Sequence, residues 1–236
     1  MIDAHCHVHS PAFARLLAAA GVSAVVCGTD PDDAARTERL TRNCPTVCCS
    51  FGLHPWKADR FRVEDMLPFI GRCRVLGEIG LDSVWCDVPL CVQERVFIDQ
   101  LALAARRNMP VILHTKGQER RILELIGQFP NTYLVHWYSC PKDIDRYVAL
   151  GCYFTLGPFA REDDPVLRHA PLNRILTESD GPDAISWAAG TTQRADYLGT
   201  LRRSEKLIER RWDLPSGQGG MVAAANLNCF LNGEKR

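Results

Sequence analysis

The 236-residue chain contains no run of about 18 apolar residues, the shortest stretch that crosses a bilayer as a helix, so no membrane span is expected. It has no surplus of either charge: 28 Lys and Arg stand against 28 Asp and Glu. Proteins that grip nucleic acid by charge alone are usually basic, so a nucleic-acid substrate would have to be held locally, by a few groups at one site. The eleven cysteines include no CxxC pair, their number is odd, and Cys48 and Cys49 are adjacent. The N-terminus shows no basic segment followed by an apolar one, so no secretory signal is expected. Together these argue against a disulfide framework and for buried, reduced thiols in a cytoplasmic chain. No linker-like change of composition, internal repeat or low-complexity run divides the sequence. Residues 1–236 are therefore expected to form one domain, and a monomer is expected. With 46% hydrophobic and 24% charged residues, such a chain can bury a sizeable core.

What is present begins at the first residue. Ile2, Ala4, Cys6 and Val8 alternate with Asp3, His5, His7 and His9, the period of a strand, which puts three imidazoles on one face. Two histidines at i and i+2 converge on one side and can ligate one metal ion. The competing reading is a polar strand face with satisfied histidines, since a short motif has a real false-positive risk.

Further strands are expected at 22–28, 46–53, 75–79, 111–113, 133–135, 152–156 and 175–176, with helices at 13–20, 30–42, 63–72, 91–108, 119–129, 144–150, 163–169, 193–211 and 220–232. In helix 91–108, Val92, Val96, Phe97, Gln100, Leu101 and Ala104 make an apolar stripe at helical spacing. Eight strands alternating with helices argue a parallel sheet, and eight units in this length favour an α/β fold of the closed (β/α)8 TIM-barrel type.

In such a barrel the C-terminal strand ends meet on one face, where active sites lie. His5, His7, His54, Glu78, His114, His136 and Asp180 all fall there, and with His9 this places six of the seven histidines. The exception, His169, lies in an expected surface helix. Four histidines with two carboxylates suffice for two divalent ions. Glu78 is the natural bridge, because a carboxylate can span ions about 3.5–4 Å apart. Mixed imidazole and carboxylate donors suit zinc, manganese, iron or nickel better than calcium, with magnesium less comfortable. Such a pair activates a water, polarises and orients the electrophile, and neutralises charge. Asp180 could take the water's proton as well as bind metal. The reaction class is metal-assisted hydrolysis, with phosphodiester, amide and lactone substrates left open.

Six motifs carry a resemblance. Asp3-Ala-His5-Cys-His7, Gly52-Leu-His54-Pro55, Gly77-Glu78-Ile-Gly80-Leu-Asp82, Gln93 through Leu101 to Pro110-Val-Ile-Leu-His114, Val135-His136-Trp-Tyr-Ser139 and Thr177-Glu-Ser-Asp180-Gly-Pro182 stand in the order they have in the TatD family. From residue 1 to about 183 the chain resembles a TatD-type metal-dependent deoxyribonuclease, an amidohydrolase-like TIM barrel. The resemblance implies a 3′–5′ exonuclease on single-stranded DNA, using a water activated by two divalent ions (Zn, Mn or Mg). His5 and His7 match first-metal ligands together with Asp180, Glu78 matches the bridging ligand, and His114 and His136 match the second-metal ligands. His54 matches a histidine near the scissile phosphate, where an imidazolium would stabilise developing charge.

The departures cluster at the substrate mouth. His9 stands in place of the usual Asp, and Ser83 in place of an aromatic. Trp137-Tyr138 replaces Cys-Phe, and Cys140 replaces a small residue. Gly181 and Asp183 replace Ala and Tyr, and no Arg-x-Asn-x-Pro loop follows. Lys116 could bind a phosphate, while Trp56 and Trp137 could stack on a base. His9 and His54 complete the candidate substrate contacts. The pairs Arg106-Arg107, Arg120-Arg121, Arg202-Arg203 and Arg210-Arg211 could contact phosphates, but zero net charge and their place on outer helices favour solvated helix faces. Two alternatives remain: a small-molecule amide, lactone or phosphoester hydrolase on the same barrel, and a non-catalytic partner protein that retains the metal site.

Overall fold

A computed structural model describes residues 1–190 and 196–233. In chain order it runs β1 (Ile2–Cys6), α1 (Pro11–Ala20), β2 (Ser23–Gly28), α2 (Pro31–Thr41), β3 (Val47–Phe51), α3 (Val63–Ile70), β4 (Val75–Asp82), α4 (Leu90–Arg107), β5 (Val111–Lys116), α5 (Glu119–Ile126), β6 (Tyr133–Val135), α6 (Ile144–Ala149), β7 (Tyr153–Leu156), α7 (Pro165–His169), β8 (Ile175–Thr177), α8 (Pro182–Ala188), α9 (Tyr197–Arg211) and α10 (Gln218–Leu231). The strands pair in parallel in sequence order and form a nearly closed barrel. β8 meets β1 through Thr177 Oγ1, which donates to the Ile2 carbonyl at 2.8 Å, and through the Asp180 N–H, which donates to the His5 carbonyl at 3.0 Å. The expected (β/α)8 architecture is the observed one.

Local chemistry sets the boundaries. Ser10 accepts from the Phe13 N–H, Pro11 opens α1, and Gly21 closes it at φ +60°. Asp30 caps α2 by accepting from the Asp33 N–H, again with Pro at the first helical position. β4 runs three residues past its expected end, because Gly80, Leu81 and Asp82 continue in register with His114, Thr115 and Lys116 of β5. α8 was not expected; Pro182 occupies its first helical position. α10 starts two residues earlier than expected and takes Gly219 and Gly220 into its first turn. The expected start of the preceding helix at Gln193 lies outside the described residues. All eleven cysteines are free thiols, and no described helix is long and apolar enough to cross a membrane.

One helix cap yields a test away from the site. Asp164 caps α7 by accepting from the Val166 N–H. Burial, together with the neighbouring Asp163, pushes its pKa up to about 6. A carboxyl raised in the folded state stabilises fully below its unfolded pKa, and that contribution is lost as pH rises through the folded value. Asn keeps the cap without the charge. Asp164→Asn is therefore expected to melt with the wild type near pH 4 and above it, by about 2 °C, once pH passes 6. Melting curves at the two pH values check this, and a constant difference would refute it.

Candidate metal centre

β1 delivers Asp3 and His5 into the barrel, where both are fully buried. The strand ends at Cys6, so the expected strand through His9 is shorter than its alternation suggested. His7 and His9 leave it as loop residues, His7 half-buried and His9 exposed. Their rings still stack with centroids 5.9 Å apart. Glu78 sits mid-β4 and His114 in β5, while His54, His136 and Asp180 follow β3, β6 and β8. His169 ends α7 and pairs with Asp145 at the surface.

Everything converges on Glu78, which is buried. Its Oε1 lies 2.8 Å from His54 Nε2 and 3.3 Å from His114 Nδ1. Its Oε2 lies 2.7 Å from His5 Nε2, 3.3 Å from His136 Nε2 and 3.9 Å from His7 Nε2. Asp180 Oδ1 is 3.3 Å from His5 Nε2 and 3.5 Å from His7 Nε2. Asp180 adopts φ +57°, a conformation Asp tolerates better than most residues, held by its N–H bond to the His5 carbonyl. Gly181 follows at φ +93°, and a Cβ there would stand 2.8 Å from the His7 carbonyl oxygen. The glycine in place of the usual Ala thus has a conformational reason.

Around this cluster stands a supporting layer. Cys27 Sγ lies 3.2 Å from His5 Nδ1. Asp82 Oδ2 lies 3.0 Å from His114 Nε2 and accepts from Trp56 Nε1 at 2.7 Å. Glu178 Oε1 lies 3.7 Å from His136 Nδ1. Hydrogen-bonded partners such as Cys27 and Asp82 fix ring orientation and tautomer at metal centres, whereas Glu178 stands beyond hydrogen-bond distance of His136. Asp3 accepts from the Ser179 N–H, the Ser179 hydroxyl and the Tyr197 hydroxyl, anchoring the segment that carries Asp180. Gln100, read from sequence as part of the apolar stripe, instead clamps the Leu53 peptide: Oε1 accepts from the Leu53 N–H at 2.7 Å and Nε2 donates to its carbonyl at 3.0 Å. Gln93 does the same to Asp82, at 2.8 and 2.9 Å. Two amides one heptad apart on α4 share a face, and so hold the residues beside His54 and at the end of β4.

Burial opposes ionising Glu78, but His136, His5 and His54 and the hydrogen bond to His114 outweigh it and hold the carboxyl well below its usual range. Burial likewise lowers His114, yet its bonds to Asp82 and Glu78 prevail and raise it to about 8. Burial and the adjacent His114 ring push His54 down to about 4. That shift favours the neutral ring near pH 7. Its Nδ1 accepts from the Trp56 N–H, which leaves the proton on Nε2. Burial raises Glu178 far above the carboxylate range.

The cluster opens into a cavity of about 660 Å³, within the range of ligand-sized clefts. His9 Nδ1 and Asp183 Oδ2 meet at 3.0 Å on its rim. Lys116 Nζ donates to Ser139 Oγ at 3.2 Å. Trp137 lies against Gly157, where a Cβ would stand 2.4 Å from its ring, and its N–H donates to Thr155 Oγ1. The arginine pairs lie elsewhere: Arg121, Arg203 and Arg210 face Glu94, Asp196 and Glu162.

The donor set fits a divalent ion. Metal–ligand bonds of about 2.0–2.2 Å place donors around one ion roughly 3 Å apart, as found here. His5 Nε2 and Glu78 Oε2, though only 2.7 Å apart, have no hydrogen-bond partner of normal geometry, in each other or elsewhere. Buried polar atoms are rarely left so, and an ion between them would satisfy both. His5, His7 and Asp180 form one such group, His5, Glu78 and His136 another, and His54, Glu78 and His114 a third.

A parallel barrel with imidazoles and carboxylates gathered at its strand ends defines a metal-dependent hydrolase. The chain belongs to the TatD-related DNase family, whose model matches residues 2–212. It is similar to the uncharacterized metal-dependent hydrolase YjjV of Escherichia coli K12, with 29% identity over 205 residues, 77% of this chain and 79% of that one. It is also similar to the 3′-5′ ssDNA/RNA exonuclease TatD of Edwardsiella piscicida, 28% identical over 174 residues, 67% of each chain. The crystal structure of the E. coli K12 YjjV protein matches with a TM-score of 0.83 and 26% identity, over 98% of this chain and 97% of that one.

Proposed function

We propose that this metal-dependent hydrolase is a deoxyribonuclease acting as a single domain, trimming single-stranded DNA from the 3′ end with two divalent ions. The observation that carries this reading is Glu78, whose two oxygens face two different imidazole groups. His5, His7 and Asp180 would hold one ion, His114 the other, and Glu78 both, while His136 Nε2, 3.3 Å from both Glu78 Oε2 and His114 Nδ1, stands between them and would join His114. Such ions, when bound, make a water nucleophilic near neutral pH and neutralise charge on the phosphate.

The chain's own groups do the rest. Water adds to phosphorus, one P–O bond breaks, and the leaving oxygen takes up a proton. Asp180, which lines the cavity, accepts the water's proton. The neutral His54 offers its Nε2–H to a phosphate oxygen. Lys116 supplies a positive charge on the cavity wall. The name of the Edwardsiella relative, 3′-5′ ssDNA/RNA exonuclease, supports the same substrate class.

The test is incubation of labelled single-stranded oligonucleotides with the protein and Mg, Mn or Zn, beside Asp180→Asn. Metal-dependent laddering from the 3′ end, reduced by about 10³-fold in the variant, is expected. Absence of cleavage with every metal and at either end would overturn the reading. Turnover of small esters without DNA cleavage would assign a small-molecule hydrolase.

A further inference from the structure

Four of the five tryptophans line the cavity: Trp56, Trp85, Trp137 and Trp187. Two of these are poorly explained by packing. Trp85, in the loop after β4, is 50% exposed, and Trp187, in α8, is 65% exposed. They come from distant parts of the chain, yet their rings stand 5.6 Å apart at 79°. Exposed large aromatics brought together beside a polar centre mark a binding surface more often than a fold requirement. Trp85 follows Ser83, the position where the family resemblance leads one to expect an aromatic.

Lys116 links this pair to the metal centre. Its Nζ lies 4.9 Å from the Trp85 ring centroid and 5.8 Å from that of Trp137, so its stem is fixed between two indoles. The other cations of the cavity wall are engaged: Arg36 with Asp33, and Lys57 with Asp30. Among the described residues Lys116 has no carboxylate within ion-pair distance, only the Ser139 hydroxyl. An ammonium without a counter-ion, flanked by aromatic faces and opening onto the same cavity as Glu78, is complementary to a phosphate joined to a flat base. In a protein of zero net charge, such a local grip must replace the usual basic groove.

We infer that Trp85 and Trp187 form a stacking platform for a nucleobase next to the scissile phosphate, with Lys116 binding the adjoining non-scissile phosphate. The inference rests on the nuclease reading and deepens it. It makes the substrate a single-stranded end with at least two nucleotides seated, and it makes recognition tolerant of base identity, because every base has a π-face. A duplex end, with its bases paired, could not open onto the platform.

The experiment uses the full chain with its metal. Binding is read by fluorescence anisotropy with a fluorescein-labelled, phosphorothioate-linked oligonucleotide, which resists hydrolysis. The same oligomer with tetrahydrofuran abasic residues at its 3′-terminal positions is the companion probe. Trp85→Ala and Trp187→Ala are each expected to weaken binding of the normal oligomer about tenfold, and to raise KM on its phosphodiester form with kcat little changed. Trp85→Phe should recover most of the loss. On the abasic oligomer the wild type should bind as weakly as the variants. Equal binding of normal and abasic oligomers by the wild type would overturn the platform even if a variant failed to fold. Unchanged binding and cleavage by folded alanine variants would also overturn it, while leaving the nuclease reading intact. Tryptophan-dependent, base-dependent binding without cleavage would uphold the platform and sink the nuclease reading instead.

Discussion

Glu78→Gln is expected to lower metal-dependent hydrolysis by about 10³-fold or more, the equivalent of roughly 4 kcal/mol in the barrier. The reason lies in how the carboxylate is shared. Its two oxygens face separate sets of nitrogens, Oε1 toward His54 and His114, Oε2 toward His5, His7 and His136. An amide has one oxygen, no charge, and an NH₂ group that would point its protons at one of the two sets. At least one ion position would lose its anionic ligand and gain a repelling donor.

A second readout does not depend on turnover. An ion that binds only the folded state raises the melting temperature, and chelation lowers it. The wild type should show both shifts and Glu78→Gln neither. The metal-free variant should also be less stable than the metal-free wild type at pH 7. The imidazoles hold Glu78 below its usual range in spite of burial, and a carboxyl depressed in this way stabilises above its unfolded pKa, an effect lost as pH falls. The gap between the two metal-free proteins should therefore close in acid. A variant that keeps its metal-induced rise in melting temperature, or hydrolysis within tenfold of the wild type, would refute the role given to Glu78.

Much of the barrel could be read from the chain because each strand is a short apolar run delivering a polar group at its end. Val111-Ile112-Leu113 ending in His114, or Tyr133-Leu134-Val135 ending in His136, states both the strand and the face where its histidine emerges. The parallel fold then does the geometry, since strand ends that are distant in sequence must meet. Where the reading stopped short, the signal was one of contact and not of pattern. Gln100 fits an apolar stripe by spacing, and only the Leu53 peptide opposite shows that its amide is a clamp. Cys27 belongs to an ordinary buried strand until His5 is found 3.2 Å away. Trp85 and Trp187 carry no mutual signal in sequence, because their meeting depends on the path of one loop and on a short helix, α8, that the sequence reading did not contain. Alternation carried β1 too far for a similar reason. Val8 is buried and keeps the period, but the ladder to β2 ends at Cys6, and His7 and His9 are placed by the loop.

The largest effect on the fold is expected from a single methyl group. Gly80 pairs with His114 across β4 and β5, and a Cβ on it would stand 1.9 Å from the His114 carbonyl oxygen and 2.9 Å from its carbon. Both atoms are backbone in the middle of a barrel, so no side chain can rotate away and the strands themselves must part. Close-packed interiors transmit such strain instead of absorbing it. Gly80→Ala should cost about 3 kcal/mol or more, which for a chain of this size lowers the melting temperature by roughly 10 °C. The damage should reach the site as well, because β4 carries Glu78 and β5 carries His114, whose facing atoms are only 3.3 Å apart. Metal affinity, followed by titration with thermal melting as readout, is expected to fall with stability. Gly127→Ala is the matched control: Gly127 has φ −62°, and its Cβ would approach nothing closer than the Leu123 carbonyl oxygen at 3.4 Å, so it should be neutral or slightly stabilising. If Gly80→Ala instead melted within 2 °C of the wild type and bound metal normally, the β4–β5 register, and with it the placement of Glu78 against His114, would have to be redrawn.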